Sequence, residues 1–428
     1  MNIPQGYKQT ELGIIPEEWD VKTIGDYYEV TSSKRIFQSQ WRHIGIPFYR
    51  AREIVVLAEN RKVDNELFID QELYDLYKRQ YGVPQAGDVL VTGVGTLGRL
   101  YVVQSNDSPF YFKDGNIIWF KNKGYNSVLL SYLYQTGSVI NQITDNSGGS
   151  TVGTYTIQNA INTKIITPNL PAEQDAIAEA LSDVDALIAA LDKKIAKKRL
   201  IKQGAMIRLL GGKGNQFRTR KIKDIVSIKK GDMLTSEQYI AGNIPVIAGG
   251  KSAAGYHNIA NRPANTITIS ASGASAGYVA FHDYPIFATD CSTIESSKSY
   301  NIKYIYYLLT FYQFELYALQ TGGAQPHVHQ NDIYDLNIYY NGNIEDQRNI
   351  ATILSDMDKE IANLEARRDK YKLIKSGMMQ KLLTGQIRLV KPLAPIIPLA
   401  APETKIREIP LKTHIVAGHI VNTLYQSS

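Results

Sequence analysis

The chain has 428 residues, 44% hydrophobic and 21% charged, which is ample for two or three domains with packed cores. Its net charge of +6 leans towards an anionic partner without specifying one; its single cysteine, Cys291, excludes a disulfide framework and a multi-cysteine zinc site. A reducing, cytoplasmic setting is expected, with no membrane contact, since no apolar run is long enough to span a bilayer and Met1-Asn2-Ile3-Pro4-Gln5 lacks signal-peptide character.

Residues 1–170 read as short strands and turns with limited helix. Trp19–Ile24 and Tyr27–Val30 are β-prone, Val89–Thr92 follows a turn at Gly87-Asp88, and Asn116–Phe120 follows one at Asp114-Gly115. Helices are predicted over Glu66–Tyr81 and Ser127–Gln142, a loop over Asn146–Ser150, and a strand from Lys164 that Pro168 and Pro171 stop.

A long helix is predicted over 171–212. Pro171 suits its first turn, and Glu173 and Asp175 complement its positive end. Apolar residues follow at Ile177, Leu181, Val184, Ile188, Leu191 and Ile195, the alternating steps of a heptad seam. Most of this stretch occurs twice. An ungapped shift of 173 residues lays 171–212 over 344–385 with about 19 identities, among them Leu181-Ser182-Asp183 over Leu354-Ser355-Asp356. The second seam reads Ile350, Leu354, Met357, Ile361 and Leu364, after which Arg368 stands in the place of Ile195.

Residues 213–342 again read as strands and turns. Phe217, Ile222 and Asp224 repeat the spacing of Trp19, Ile24 and Asp26 at an offset of 198, so the first globular segment is about 25 residues longer. The extra length falls between Arg52 and Gln80. A second long helix is predicted over 343–388. The tail, 389–428, has five prolines between Pro392 and Pro410 and a candidate short helix over Leu411–Tyr425.

Three motifs mimic ligand sites. Gly93-Val94-Gly95-Thr96-Leu97-Gly98 spells a dinucleotide fingerprint, but β-prone Arg99–Val103 follows where a helix must open, so a glycine-rich turn between strands is the better reading. Gly249-Gly250-Lys251-Ser252 lacks the leading glycine of a phosphate loop. His327 and His329 could share a strand face, but no cysteine or carboxylate completes a metal site, and no metal is expected.

The order globular–helix–globular–helix resembles the specificity subunit of Type I restriction-modification enzymes over about residues 5–390. Its most specific residues are Gly6-Tyr7-Lys8, Thr10-Glu11-Leu12-Gly13, Ile15-Pro16 with Trp19, the two Leu-Ser-Asp triplets, Lys381–Gly385 and Gly322-Gly323-Ala324-Gln325-Pro326-His327. The first segment's matching turn, Gly148–Gly153, lacks the Gln-Pro-His, and the proline-rich tail departs from the pattern. The resemblance implies an α+β fold: two mixed α/β target-recognition domains separated by two long antiparallel coiled-coil helices, with an internal pseudo-twofold repeat.

It further implies DNA recognition without catalysis. Each globular part would read half of a bipartite, asymmetric target in double-stranded DNA. The helices would dock two modification subunits, which carry S-adenosylmethionine and methylate adenine, and restriction subunits would complete the endonuclease. No cofactor is expected on this chain. Candidate DNA contacts in the first segment are Ser33, Lys34, Arg35, Arg50, Arg52, Arg99 and Thr151. In the second they are Lys229, Lys230, Lys251, Ser272, Ser275, Gln325, His327 and His329. Arg and Gln can read bases bidentately, whereas Lys and Ser more often hold phosphates. The basic run Lys193, Lys194, Lys197, Lys198, Arg199 reads as a solvated helix face. The alternative, a self-contained adenine methyltransferase, conflicts with the absence of any Pro-Pro dipeptide, which that class uses to hold the flipped adenine.

Overall fold

Short β-prone runs between glycine and aspartate turns cannot each bury an apolar face alone, so they pair into sheets. The computed structural model describes residues 3–145, 153–212, 214 and 216–389, with the backbone of 414–416 and 419–421. The chain divides into two compact units, the first comprising residues up to Ile177 with those from Thr384, the second Ala178–Leu383.

The first unit opens with a hairpin of β1 (Tyr7–Thr10) and β2 (Gly13–Pro16), then β3 (Trp19–Thr23), a helical turn α1 (Ile24–Tyr27) and β4 (Tyr28–Thr31). It continues through β5 (Ile46–Tyr49), α2 (Ala51–Ala58), β6 (Phe68–Ile69), α3 (Gln71–Tyr81), β7 (Val89–Thr92), β8 (Leu100–Val102), β9 (Tyr111–Phe112) and β10 (Ile117–Asn122). Then come α4 (Ser127–Leu133), α5 (Gly137–Asp145), α6 (Ile157–Asn162) and β11 (Lys164–Pro168), which pairs with β3. The main antiparallel sheet has order β4-β10-β7-β8; a second, β6-β5-β9, has β5 and β9 parallel. Helix α2 lies over β7 and β8, and its Ile54 joins Leu90, Tyr101, Val103 and Trp119 in an apolar cluster. Asp88 anchors the turn into β7, its carboxylate accepting from Trp119 Nε1 at 2.9 Å and from the Asn122 amide at 3.0 Å.

Local competition moves several predicted boundaries. The helix expected from Glu66 begins at Gln71, because Phe68 and Ile69 pair with β5 and Asp70 takes an extended N-cap conformation. The helix expected over Ser127–Gln142 is two, α4 and α5; Thr136 Oγ1 turns back to the Leu133 carbonyl at 2.6 Å, and Gly137 is a poor helix former. Helix α2 begins at the edge of the stretch that sequence marks only as extra length.

The second unit takes α7 (Pro171–Leu210) from Ala178 onward, followed by β12 (Phe217–Lys221), β13 (Lys229–Lys230), β14 (Ala241–Ile247) and β15 (Gly255–His257). Next are β16 (Thr266–Ser270), β17 (Val279–His282), β18 (Phe287–Ala288), β19 (Cys291–Ile294), α8 (Ile302–Phe311) and α9 (Gln313–Ala318). Finally α10 (Gln330–Asp335) and β20 (Asn337–Asn341) precede α11 (Ile344–Leu382). Its sheets run β13-β19-β16-β17 and β15-β14-β18, with β14 and β18 parallel and β20 returning to β12. Strand for strand, this is the order of the first unit, so the weak sequence echo is a true topological repeat. Nothing corresponds to α2 or α3 between β14 and β16.

Helices α7 and α11 have 40 and 39 residues, each about 60 Å long. Ion pairs fix their direction: Asp185–Lys375 at 2.7 Å, Asp192–Arg368 at 3.4 Å, Lys198–Glu360 at 2.7 Å and Lys202–Asp358 at 2.5 Å, with Arg199 also on Glu365. Rising numbers on α7 meet falling numbers on α11, so the pair is antiparallel. Asp185 and Asp358 are repeat mates, as are Lys202 and Lys375, so two of these bridges exchange under the 173-residue shift. That is the pseudo-twofold. Leu191, Ile195 and Ile361 are buried mid-helix, with Val184, Ile188, Met357 and Leu364 half-buried. Ile177 and Leu181 are fully buried. Ile350 and Leu354 lie in a cluster that holds Tyr304 and Leu308 of α8 together with Leu210 of α7, so the first turns of α11 also pack on their own globular core. The aromatic α8 adds a polar tie, its Tyr307 hydroxyl donating to Asp358 at 2.8 Å.

After each helix the chain turns through a left-handed glycine, Gly212 at φ +76° and Gly385 at φ +70°. Of the candidate helix over Leu411–Tyr425, only 414–416 and 419–421 are described, and these are strands rather than helix; the rest lies outside the described residues. β21 (His414–Val416) and β22 (His419–Val421) pair antiparallel; both are His-Ile-Val, and β-branched residues favour strands. No helix among the described residues is long and apolar enough to cross a membrane.

Candidate nucleic-acid interface

Strand pairing gathers the first unit's candidates at one end of its sheets. β5 and β9 run parallel, so Arg50, just past β5, lies beside Lys113, whose amide donates to the Tyr49 carbonyl at 2.8 Å. The 32–35 loop joins them: Ser33 Oγ donates to the Phe112 carbonyl at 2.7 Å, and Arg35 pairs with Asp114 at 2.9 Å. The Gly93–Gly98 turn sits alongside, its Gly93 amide on the Asn116 carbonyl at 2.9 Å, while Tyr155 N donates to Gly93 O. That turn links antiparallel β7 and β8, as the sequence predicts. Gly98 sits at φ +70°, which suits glycine: a side chain would be strained in that conformation and its Cβ would lie 2.8 Å from Ile143 Cδ1, which would have to shift.

Within this cluster the residues differ in freedom. Lys34 and Arg99 are exposed, Arg99 without an ion pair among the described residues and Lys34 with its Nζ 5.3 Å from the Tyr81 ring centre. Arg50 reaches Glu53 at 2.9 Å and Glu66 at 3.3 Å, and Arg52 binds the same two carboxylates. Burial pushes the Glu53 carboxyl up, but bonds from Arg50 and Arg52 outweigh it and hold it below the usual carboxylate range. These arginines are presented as a braced, nearly neutral set. Ser33 is buried and points inward, so it stiffens the loop rather than facing solvent. Thr151 lies outside the described residues.

The second unit builds the same end from different residues. The Ser270 hydroxyl donates to the Gly249 carbonyl at 2.7 Å, tying the Lys251 loop to the turn after β16. That turn meets the Gly322–His327 loop, with Gly273 N on Pro326 O at 2.9 Å and Val328 N on Ala271 O at 2.9 Å. Lys251, Gln325, His327 and His329 are exposed, and Ser275 is half-buried. Ser272 is buried with its Oγ on Asp290, so it holds the loop from inside. On the edge strand, Lys230 is exposed and Lys229 pairs with Glu295 at 2.9 Å.

Sequence reading missed the braces. Arg262 is 8% exposed and bridges Thr293 Oγ1 at 2.9 Å, the Lys230 carbonyl at 2.6 Å and Asp232 at 3.3 Å, fixing the lysine edge. In the first unit Arg388 binds Glu173 through two bonds, of 2.6 and 2.8 Å, and Glu18 at 2.8 Å, while Trp19 Nε1 donates to Glu173 at 3.2 Å. Neither arginine sits in a local pattern; both join residues far apart in the chain.

Among known proteins, a sequence family described as Type I restriction modification DNA specificity domain matches residues 16–198 and again 215–372. A protein named as a type I restriction enzyme specificity subunit of Haemophilus influenzae is 36% identical over 129 residues, covering 30% of this chain and 31% of that one. The chain thus spans less than half the length of that relative, and the same holds for two mycoplasma relatives. The MjaX specificity subunit of Methanocaldococcus jannaschii is 24% identical over 434 aligned residues, covering 90% of this chain and 97% of its own. The crystal structure of a type I restriction-modification S subunit from M. genitalium shares the fold, with TM-score 0.63 at 16% identity over 89% of this chain and 98% of that one. Two copies of one family match thus fall on the two topological repeats, and this chain belongs to the type I restriction-modification DNA specificity family.

Proposed function

We propose that this chain is the non-catalytic DNA-recognition subunit of a type I restriction-modification complex, each unit's loop cluster reading one half of a bipartite, asymmetric target. The observation that carries this is a contrast. The two globular parts keep one strand order yet carry different residues at the same loops, while the helices keep both sequence and symmetric ion pairs. Two different half-sites require different reading surfaces. Identical partners require identical docking surfaces.

The helices offer such a surface. Leu200 and Ile201 are 68% and 45% exposed, and their repeat mates Leu373 and Ile374 are 75% and 40% exposed. Apolar pairs in water at matching positions suit two copies of one protein, here two modification subunits, which would bring S-adenosylmethionine and methylate adenine. Restriction subunits would join that assembly to cleave. The helix pair, about 60 Å long, would act as the spacer that fixes the distance between half-sites, against a DNA turn of about 34–36 Å. The absence of Pro-Pro from the whole sequence weighs against a self-contained methyltransferase.

The test is an exchange of residues 217–342 for the matching part of a relative with a different target. One half of the methylated sequence should change and the other persist. A change in both halves would contradict the modular reading.

A further inference from the structure

In the second unit, one face of the main sheet is polar where it is covered. Thr266, Thr268 and Ser270 on β16 are 0%, 3% and 3% exposed, and Thr293 on β19 is fully buried. A covered sheet face ordinarily carries apolar side chains, so buried hydroxyls are the informative departure. This face bounds a cavity of about 130 Å³ beneath the Lys251 loop, lined by Thr268, Ser270, Tyr278, His282 and Tyr284 among others. His282 is 6% exposed, and its Nε2 shares a 2.9 Å hydrogen bond with Thr268 Oγ1. Its Nδ1 is buried with no hydrogen-bond partner among the described residues.

The first unit treats the equivalent face differently. Strand register relative to the glycine-rich turn equates Thr268 with Leu90, Ala280 with Tyr101 and Thr293 with Trp119. One step further, His282 stands where the first unit has Val103. There all four residues form an apolar cluster that α2 seals with Ile54. Here the helix is missing, the residues are polar or small, and space remains. Divergence from a filled core to a polar cavity with an unpaired ring nitrogen calls for an occupant.

Volume and lining limit what that occupant is. A cavity of roughly 150 Å³ accommodates benzene, so this one suits a single six-membered ring. Hydroxyls and the imidazole offer hydrogen bonds to a polar edge, and Tyr278 and Tyr284 offer ring faces. Exposed Lys251, with Nζ 5.4 Å from the Tyr278 ring centre, supplies the charge, and no carboxylate lines the cavity among the described residues. Burial lowers the His282 imidazole below its usual range, Asp283 opposing, so the ring meets its ligand uncharged.

We propose that this cavity receives the ring of one unstacked pyrimidine from bound DNA, with His282 and Thr268 on its hydrogen-bonding edge and Lys251 on an adjacent phosphate. The proposal rests on the DNA-recognition reading above and adds a pocket to it. The test uses the full chain assembled with its modification subunits on a duplex carrying its methylation target. One thymine reactive to permanganate, or one cytosine reactive to bisulfite, should appear in the half read by the second unit, about tenfold above free duplex. Thr268→Leu and His282→Val, which restore the first unit's residues, should abolish that reactivity and weaken binding about tenfold. Tight, selective binding by the wild-type chain with no reactive pyrimidine overturns the pocket alone. Absence of selective binding overturns the DNA reading as well. A thermal shift given by free thymidine or cytidine monophosphate, with the duplex silent, overturns DNA as the source in favour of a soluble nucleotide.

Discussion

Glu173 holds three groups at once: the Arg388 guanidinium, the Trp19 indole and, through that arginine, Glu18. Its side chain is 1% exposed and that of Arg388 is 22% exposed. Glu173→Ala would strand the arginine and indole, and should cost about 3 kcal/mol in urea unfolding of the full chain. Glu53 gives a pH prediction. Its carboxyl is held below the usual range, so its stabilisation is present above the ordinary carboxylate pKa and is lost as pH falls through the lowered one. Glu53→Gln should therefore be less stable than the wild type at neutral pH, with the gap closing below about pH 4 in acid unfolding. At the interface, Lys230→Ala should weaken DNA binding evenly across sequences and reduce the log–log salt slope by about 1. At this scale the sequence supplied residue types but not facing. Arg99 and Lys251 emerge on exposed loops, whereas Ser33 and Ser272 turn inward, because hydroxyl direction depends on carbonyl and carboxylate partners distant in sequence.

Among elements, the long helices were legible because a heptad seam and a 173-residue repeat report on the same residues twice. Their antiparallel direction came from the resemblance alone, since a seam reads alike in either sense; the crossed bridges Asp185–Lys375 and Lys202–Asp358 bear it out. Replacing Ile195, 2% exposed, with Asp buries a charge in the middle of that pair and should cost about 3 kcal/mol in thermal or urea unfolding, with methylation lost. Charge reversal at Asp185 and at Lys375 should each cost about 0.5 kcal/mol, and the double reversal should regain most of it, as a double-mutant cycle would measure. Helix α2 escaped sequence reading because only eight residues separate Arg50 from Glu59 and its apolar face is paired to β7 and β8, not to neighbours in the chain.

For the whole chain, the repeat has two levels. The helices conserve residues, and the globular parts conserve only strand order, β4-β10-β7-β8 against β13-β19-β16-β17. The first level is visible as identity. The second survives in sequence only as spaced matches such as Trp19 with Phe217, because loops and one sheet face have diverged while pairing has not. That divergence is what the proposed reading of two different half-sites requires. The most direct measurement is the map of methylated adenines in cells given this chain together with its modification subunit. The account predicts one bipartite motif, two unlike halves at a fixed separation, that vanishes when the chain is omitted. A single contiguous motif, or methylation that persists without the chain, would contradict it.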